Sequence, residues 1–248
     1  ASTQTIDPFR WAMTGGYRVV DDVDKTVLQK AYSSNQDDNL FPNRTLSSST
    51  DIANATPFSF SNLTVSIANR GFKMAFRGST SVGSSLTNYD PSQTANQSTT
   101  YQVTMRVRVC VPGSASGGVE SNCQQYGANW KPEGLIQKYA NKMRFSAFGY
   151  LNDSNVLRDG GVLRARQKFV GPMSPVPGKA AQTNGLNEWD PNTGQFIPNP
   201  DTKDAKATTD AFGITVQDSG VMNYLNKFGQ ITPGTYKSKD PVGELYYA

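Results

Sequence analysis

The chain has 248 residues, of which 36% are hydrophobic and only 18% charged, with a formal net charge of +4. The apolar share and the 22 glycines bring it near the usual globular fraction, so a packed core can form in one large domain or two small ones. Histidine is absent, which removes Ser-His-Asp triads, Cys-His dyads and H-E-x-x-H zinc sites together.

Other partner classes are weakened by what the residues do not assemble. Lys and Arg are scattered, with no basic stripe carrying aromatic platforms, so no nucleic acid is expected as a partner. No stretch approaches the roughly 20 apolar residues of a membrane span. The chain opens at Ala1-Ser2-Thr3 without a leader, which reads as a processed or excised segment.

In chain order, residues 1–32 read as the opening of a β structure. Gly15-Gly16 signals a turn after Trp11 and Met13. Tyr17–Val20 is then a strand, pairing with Val27–Tyr32 across the acidic turn Asp21–Asp24. Residues 33–56 read as polar and irregular. Phe58-Ser59-Phe60 and Leu63–Ile67 alternate with period two, as half-buried strands do. Gly71–Arg77 gives another strand. Residues 78–99 form a long Ser/Thr/Gly/Asn loop, of a length found in mobile or binding loops.

Tyr101–Val111 is the clearest strand. Tyr101, Val103, Met105, Val107 and Val109 face one way, and Gln102, Thr104, Arg106, Arg108 and Cys110 the other. A Gly/Ser/Pro stretch separates Cys110 from Cys123. A disulfide closing this 14-residue loop is the simplest reading, worth roughly 3 kcal/mol, and implies an oxidising compartment. Two unpaired buried thiols are the alternative.

A first helix is expected after Trp130, with Pro132 at its first position, Glu133 in its first turn, and Leu135, Ile136 and Tyr139 at helical spacing to about Asn141. Met143–Leu151 and Val162–Val170 read as an antiparallel hairpin with a long tip. Prolines punctuate residues 171–210 and stop any long element there. A tight turn is expected at Asp190–Gly194, before Phe196. A second helix is capped by Asp218 or Ser219, buries Val221, Met222, Leu225 and Phe228, and stops at Gly229. A last short helix runs from Pro241 through Tyr247, and chain ending inside it implies that more sequence follows. The expected fold is therefore mainly β, an antiparallel β-sandwich-like domain over residues 1–248 with two or three short helices and long loops.

Few residues combine into chemistry. The Asp/Asn-rich turns at Asn152–Asn155, Asp190–Gly194 and Asn199–Asp201 with Asp204 lack the alternating acids and distant Glu of a calcium loop, and read as Asx turns. No metal ligand set is expected. Glu133, Asp153, Asp159 and Glu188 offer carboxylates without distinctive context, so no catalytic residue is assigned and the chain is expected not to be an enzyme. Trp11, Trp130 and Trp189 are the candidate aromatics for stacking on a sugar, with packing as the competing role.

Several long strings are similar to one family. They are Asp7–Val20, Tyr101–Cys110, Lys131–Tyr139, Met143–Phe145 with Phe148–Asp153, Arg158–Arg166, Ser219–Gly229 and Glu244–Tyr247. Together they resemble the PilC/PilY proteins of type IV pili. The resemblance implies a large secreted protein, exported through the periplasm to the pilus tip at the bacterial cell surface. There it supports fimbrial biogenesis, twitching motility and adhesion, with minor pilins, other domains of the same protein and host or surface glycans as partners. It places this segment upstream of the family's C-terminal β-propeller. The calcium loop of that propeller has no counterpart here, so no cofactor is expected in the segment. A lectin-like carbohydrate-binding module is the alternative function.

Overall fold

The computed structural model describes residues 4–33, 41–113, 118–150, 161–213 and 215–228. Among the described residues strand outweighs helix, 31% to 19%, in several small antiparallel sheets with no barrel, so the fold is mainly β. The Asn152–Asn155 turn and the helix expected from Pro241 lie outside the described residues. The chain divides into two compact units, one built on Gln29–Arg106 and the other on Ile6–Leu28 with Val107–Gly229.

Contrary to the expected β opening, the chain begins in helix α1 (Ile6–Thr14). The buried residues of α1 are Arg10 and Thr14, one helical turn apart, while Phe9 and Trp11 are exposed. A buried face made of polar groups leaves no apolar 3.6-residue period to read. The hairpin that follows is as expected. Strands β1 (Arg18–Asp22) and β2 (Lys25–Gln29) pair antiparallel, with Asp22 opposite Lys25 and Asp21 opposite Thr26.

The first unit contains β3 (Arg44–Leu46), α2 (Ser49–Ala55), β4 (Leu63–Ser66), β5 (Lys73–Arg77), β6 (Thr87–Asn88) and β7 (Tyr101–Thr104). Both β3 and α2 fall in a stretch expected to be irregular. Helix α2 is started by Ser48, whose side chain accepts from Asp51 N, the usual N-cap bond. The strands form one sheet in the order β3-β4-β5-β7-β6, antiparallel except where β6 runs parallel to β7. The register stacks Arg44, Val65 and Phe76 across three strands, and sets Met74 against Val103. That face carries the core of Ile52, Phe58, Phe60, Leu63, Val65, Ile67, Met74 and Phe76. Phe58 is not in a strand but lies at its centre, with ring centroids of Phe60, Phe76, Tyr89 and Tyr101 4.9–5.6 Å away.

The single strand expected over Tyr101–Val111 breaks at Met105. Met105 N donates to Phe72 O at 3.1 Å, and Met105 O accepts from Lys30 N at 3.2 Å. Beyond it, β8 (Arg106–Val109) joins β2 in a separate three-stranded sheet. Val107 is 55% exposed, so inward alternation ends with Met105.

The second unit continues with β9 (Cys123–Tyr126), β10 (Asn129–Pro132), α3 (Leu135–Tyr139), β11 (Phe145–Tyr150), β12 (Gly161–Lys168), β13 (Met173–Ser174), β14 (Gln182–Thr183), α4 (Thr202–Phe212) and α5 (Val221–Lys227). The helix expected to start at Pro132 starts after Gly134 instead. Pro132 ends the β9–β10 hairpin, and its carbonyl accepts from Arg18 Nη2 at 2.6 Å. Glycine is required at 134, because a Cβ there would lie 2.3 Å from the Met13 backbone carbon. The β11–β12 hairpin is as expected. Helix α4 is not, since the prolines end at Pro200. Asp201 then caps the helix by accepting from Asp204 N, and Gly213, at φ +66°, stops it. Helix α5 buries Val221, Met222, Asn223 and Asn226. Phe228, expected inside, is 45% exposed.

The second unit is organised around charges as much as around its apolar core of Ile136, Ala140, Ala147, Ala165, Val170, Trp189, Val221 and Met222. Glu188, 0% exposed, accepts from Val221 N at 3.0 Å and Met222 N at 2.6 Å, and pairs with Lys168 Nζ at 2.6 Å. It thus caps α5 from outside the helix, where a carboxylate meets the positive end of the peptide dipoles. Gly220, at φ +98°, makes room, since a Cβ there would lie 2.8 Å from the Glu188 carboxyl carbon. Asp21 plays the same part for the β1–β2 hairpin. It accepts from Arg18 Nη1, from Lys131 Nζ at 2.9 Å and from Phe196 N at 2.9 Å.

Arg166 and Asp201 make a third ion pair, bidentate at 2.7 and 2.8 Å. Burial alone would raise the Asp201 pKa, but the Arg166 bonds and Asp204 N–H outweigh it and hold the carboxyl below its ordinary 3.8. A depressed carboxylate stabilises the fold above its unfolded pKa, and that contribution is lost as pH falls through the folded value. Asp201→Asn is therefore expected to flatten the loss of stability below about pH 4, measured by urea unfolding across the acid range. An unchanged acid limb would contradict this role.

Candidate functional site

Three places on the chain hold the groups from which a function could be built. The first is the disulfide corner of the second unit. Cys110 and Cys123 are bonded, with Cα atoms 5.6 Å apart, so the disulfide reading of the sequence is the one the structure adopts. Glu120 Oε2 accepts from Cys110 N at 2.9 Å and holds the left-handed backbone of Cys110, φ +58°. Glu120 and the two sulfurs lie within 4.8 Å of one another. Sulfurs bonded to each other are not the thiolates that a zinc site uses, so this group ties the loop rather than ligating a cation. Reduction is expected to lower stability by about 3 kcal/mol, measured by denaturant unfolding with and without a thiol reductant. A change under about 0.5 kcal/mol would mean that the loop is already ordered without the bond.

The second place is an open cleft of about 280 Å³ lined by Ser121, Asn122, Cys123, Gln124, Glu133, Gly134 and Lys138. The Tyr126 hydroxyl donates to Glu133 Oε1. Burial pushes the Tyr126 hydroxyl pKa up, and Glu133 adds to the shift. Burial likewise raises the Glu133 carboxyl, against the pull of the Tyr126 bond and of Arg18. Of the other acids weighed from sequence, Glu188 is enclosed at the start of α5, and Asp153 and Asp159 lie outside the described residues. The Asp190 turn is an Asx turn, with Oδ1 accepting from Asn192 N at 2.7 Å and Thr193 N at 3.0 Å. Asp218 and Ser219 precede α5 without capping it. Ser219 Oγ instead accepts from Asp201 N at 2.9 Å.

The three tryptophans differ in exposure. Trp189 is 5% exposed, within the second unit's core. Trp130 is half-buried in β10. Trp11 is 52% exposed on α1, and presents its ring to solvent.

The third place was not singled out in the sequence. In the first unit, an apolar groove of about 170 Å³ opens between α2 and the sheet, with Leu46, Ala55, Pro57, Met74, Val103 and Met105 among its lining and Arg44 at one side. Its residues come from β3, the end of α2, β5 and the end of β7, up to 61 positions apart (105 − 44). Only the alternation in Leu63–Ile67 and Gly71–Arg77 hinted at the apolar face beneath it.

These features describe a mainly β, disulfide-tied chain with an ion-paired interior, an exposed tryptophan and an apolar groove. Residues 1–90 match the family model described as PilY1 homolog, small alpha/beta domain. Over 257 residues the chain is 45% identical to the type IV pilus biogenesis factor PilY1 homolog of Xylella fastidiosa (strain Temecula1), across 100% of this chain and 21% of that protein. The chain is similar along its whole length to that PilY1 homolog, in keeping with the resemblance in its sequence, and spans about a fifth of the length of the curated relative it matches. No solved structure matches it.

Proposed function

We propose that the chain is a non-catalytic structural and adhesive segment of a type IV pilus tip protein, supporting pilus assembly, twitching motility and attachment at the bacterial surface. The observation that carries this reading is the 45% identity along its whole length to a pilus biogenesis factor. The disulfide supports export through an oxidising periplasm. No helix among the described residues is long and apolar enough to cross a membrane. In this reading minor pilins and neighbouring domains are the partners, and no cofactor is used.

The test is deletion of the parent gene in its source bacterium, with and without the retraction motor, scoring surface pili by microscopy. Loss of pili that return when retraction is disabled is the expected result. Normal pili and normal twitching in the deletion would overturn the reading.

The exposure of Trp11 favours a second reading, a lectin-like module for host or surface glycans. A glycan array with the purified chain tests it. Binding lost in Trp11→Ala would support it, and silence on the array would leave the scaffold role alone.

A further inference from the structure

The groove of the first unit has the composition of a binding site with one end charged. Its walls are apolar side chains and its volume is about 170 Å³. A closed apolar cavity of roughly 150 Å³ accommodates a benzene ring, so the groove is sized for one large aliphatic or aromatic side chain. Two further observations say what carries that side chain.

The first is Arg44. Its register partner is Val65, so it stands on the same face of the sheet as the apolar residues, and it lines the groove beside them. Arg44 is exposed, and among the described residues its guanidinium has no carboxylate or carbonyl partner. The other unit-one arginines with described bonds, Arg70, Arg77 and Arg106, reach Ser66, Ser98 and Gln29. A cation without a partner beside an apolar hollow complements an anion attached within a few ångströms of an apolar group.

The second is the edge. Strand β3 ends the sheet order β3-β4-β5-β7-β6 among the described strands. Its outer N–H and C=O groups are those to which an added strand pairs. A free amphiphile has no use for them, whereas a peptide does. One residue type joins all three features: a bulky apolar residue at a free C-terminus carries its side chain and its carboxylate on a single Cα.

We infer that the groove beside β3 is a receptor for the extended C-terminus of another polypeptide. Its last side chain, aliphatic or aromatic, fills the space between Ala55, Met74 and Val103. Its carboxylate takes a charge-assisted pair from Arg44, and its preceding residues run along the open edge of β3. This goes beyond the pilus reading, and its test needs only the purified chain, so either can fail without the other.

The probe is a fluorescein-labelled pentapeptide, Ser-Thr-Val-Thr-Phe, with a free C-terminus, titrated by fluorescence anisotropy. Its C-terminal amide, the version ending in alanine, and octanoate as competitor complete the set. Saturable binding is expected for the free acid, weakened about tenfold or more by the amide. Arg44→Gln should weaken the free acid to the level of the amide and leave the amide unchanged. Ala55→Trp, at an exposed position of α2, fills the groove without disturbing the core and should abolish both. Circular dichroism confirms that each variant folds. Equal affinity of acid and amide for the unaltered chain would overturn the inference. So would octanoate binding with the peptide silent, which would make the groove a site for free amphiphiles. Aggregation of Arg44→Gln with no change in peptide binding would also overturn it, assigning Arg44 to guarding the edge.

Discussion

Glu188→Ala is expected to lower the unfolding free energy by about 3–5 kcal/mol, among the largest effects available in this chain. The carboxylate is fully enclosed and makes its contacts with the first two N–H groups of α5 and with Lys168. Truncation leaves the Lys168 ammonium, 8% exposed, bonded to the neutral Leu186 carbonyl at 2.9 Å in place of a carboxylate. It also leaves two buried N–H donors unsatisfied and a void against Gly220. Each loss belongs to the class in which the desolvation penalty is felt in full. The double variant Glu188→Ala with Lys168→Met should cost clearly less than the sum of the two singles, because each removes the reason the other is harmful. Urea unfolding of the four proteins measures this. A single-variant loss under about 1 kcal/mol would mean that water reaches the pair and that α5 is capped some other way.

Asp21→Ala is expected to cost a similar amount, about 3–5 kcal/mol, for a related reason. Asp21 stands between two cations, Arg18 and Lys131, whose side chains are 1% and 0% exposed. It also accepts from Phe196 N, tying the Asp190–Gly194 turn to the hairpin. Arg18 keeps the carbonyls of Gly194 at 2.8 Å and Pro132 at 2.6 Å, and its guanidinium lies 3.9 Å from the centroid of the Phe196 ring. Lys131 keeps Asp22 O and Thr26 Oγ1. Neither set of neutral acceptors replaces the charge. The neighbouring Lys25–Asp22 pair is the internal control. Its side chains are 43% and 57% exposed, so Lys25→Ala should change stability by no more than about 0.5 kcal/mol. Equal effects at Asp21 and Lys25 would contradict a buried ionic frame.

The sequence was most legible where one physical signal acted alone. The hairpins β1–β2 and β11–β12 follow from short runs rich in Val, Phe and Tyr bounded by turn residues, and the Asp190 turn from the side-chain chemistry of Asp and Gly. Helix α5 was visible because Val221 and Met222 point inward, although the anion that caps it lies 33 positions upstream at Glu188. Where the buried face is polar, the signal vanished. Helix α1 hides Arg10 and Thr14 and exposes Phe9 and Trp11, the reverse of an amphipathic pattern. Among the described residues of α4, Ala205 alone is buried, and the helix follows a run of prolines that argued against it. The break at Met105 could not be read from alternation, because the pattern continues in Val107 and Val109 while the pairing partner changes from β5 to β2. The groove was hidden for a further reason. Its lining is assembled by strand pairing, and its one charged residue sits in a segment too polar to suggest a strand.

The central claim is that this segment serves pilus assembly, and removal of the segment alone tests it most directly. The parent gene is replaced by an in-frame deletion of residues 1–248, export of the remaining protein is confirmed by immunoblot, and surface pili are counted with retraction active and disabled. The account predicts few or no pili while retraction is active and recovery when it is disabled. Wild-type numbers of pili in the retracting strain, with the shortened protein exported, would contradict it.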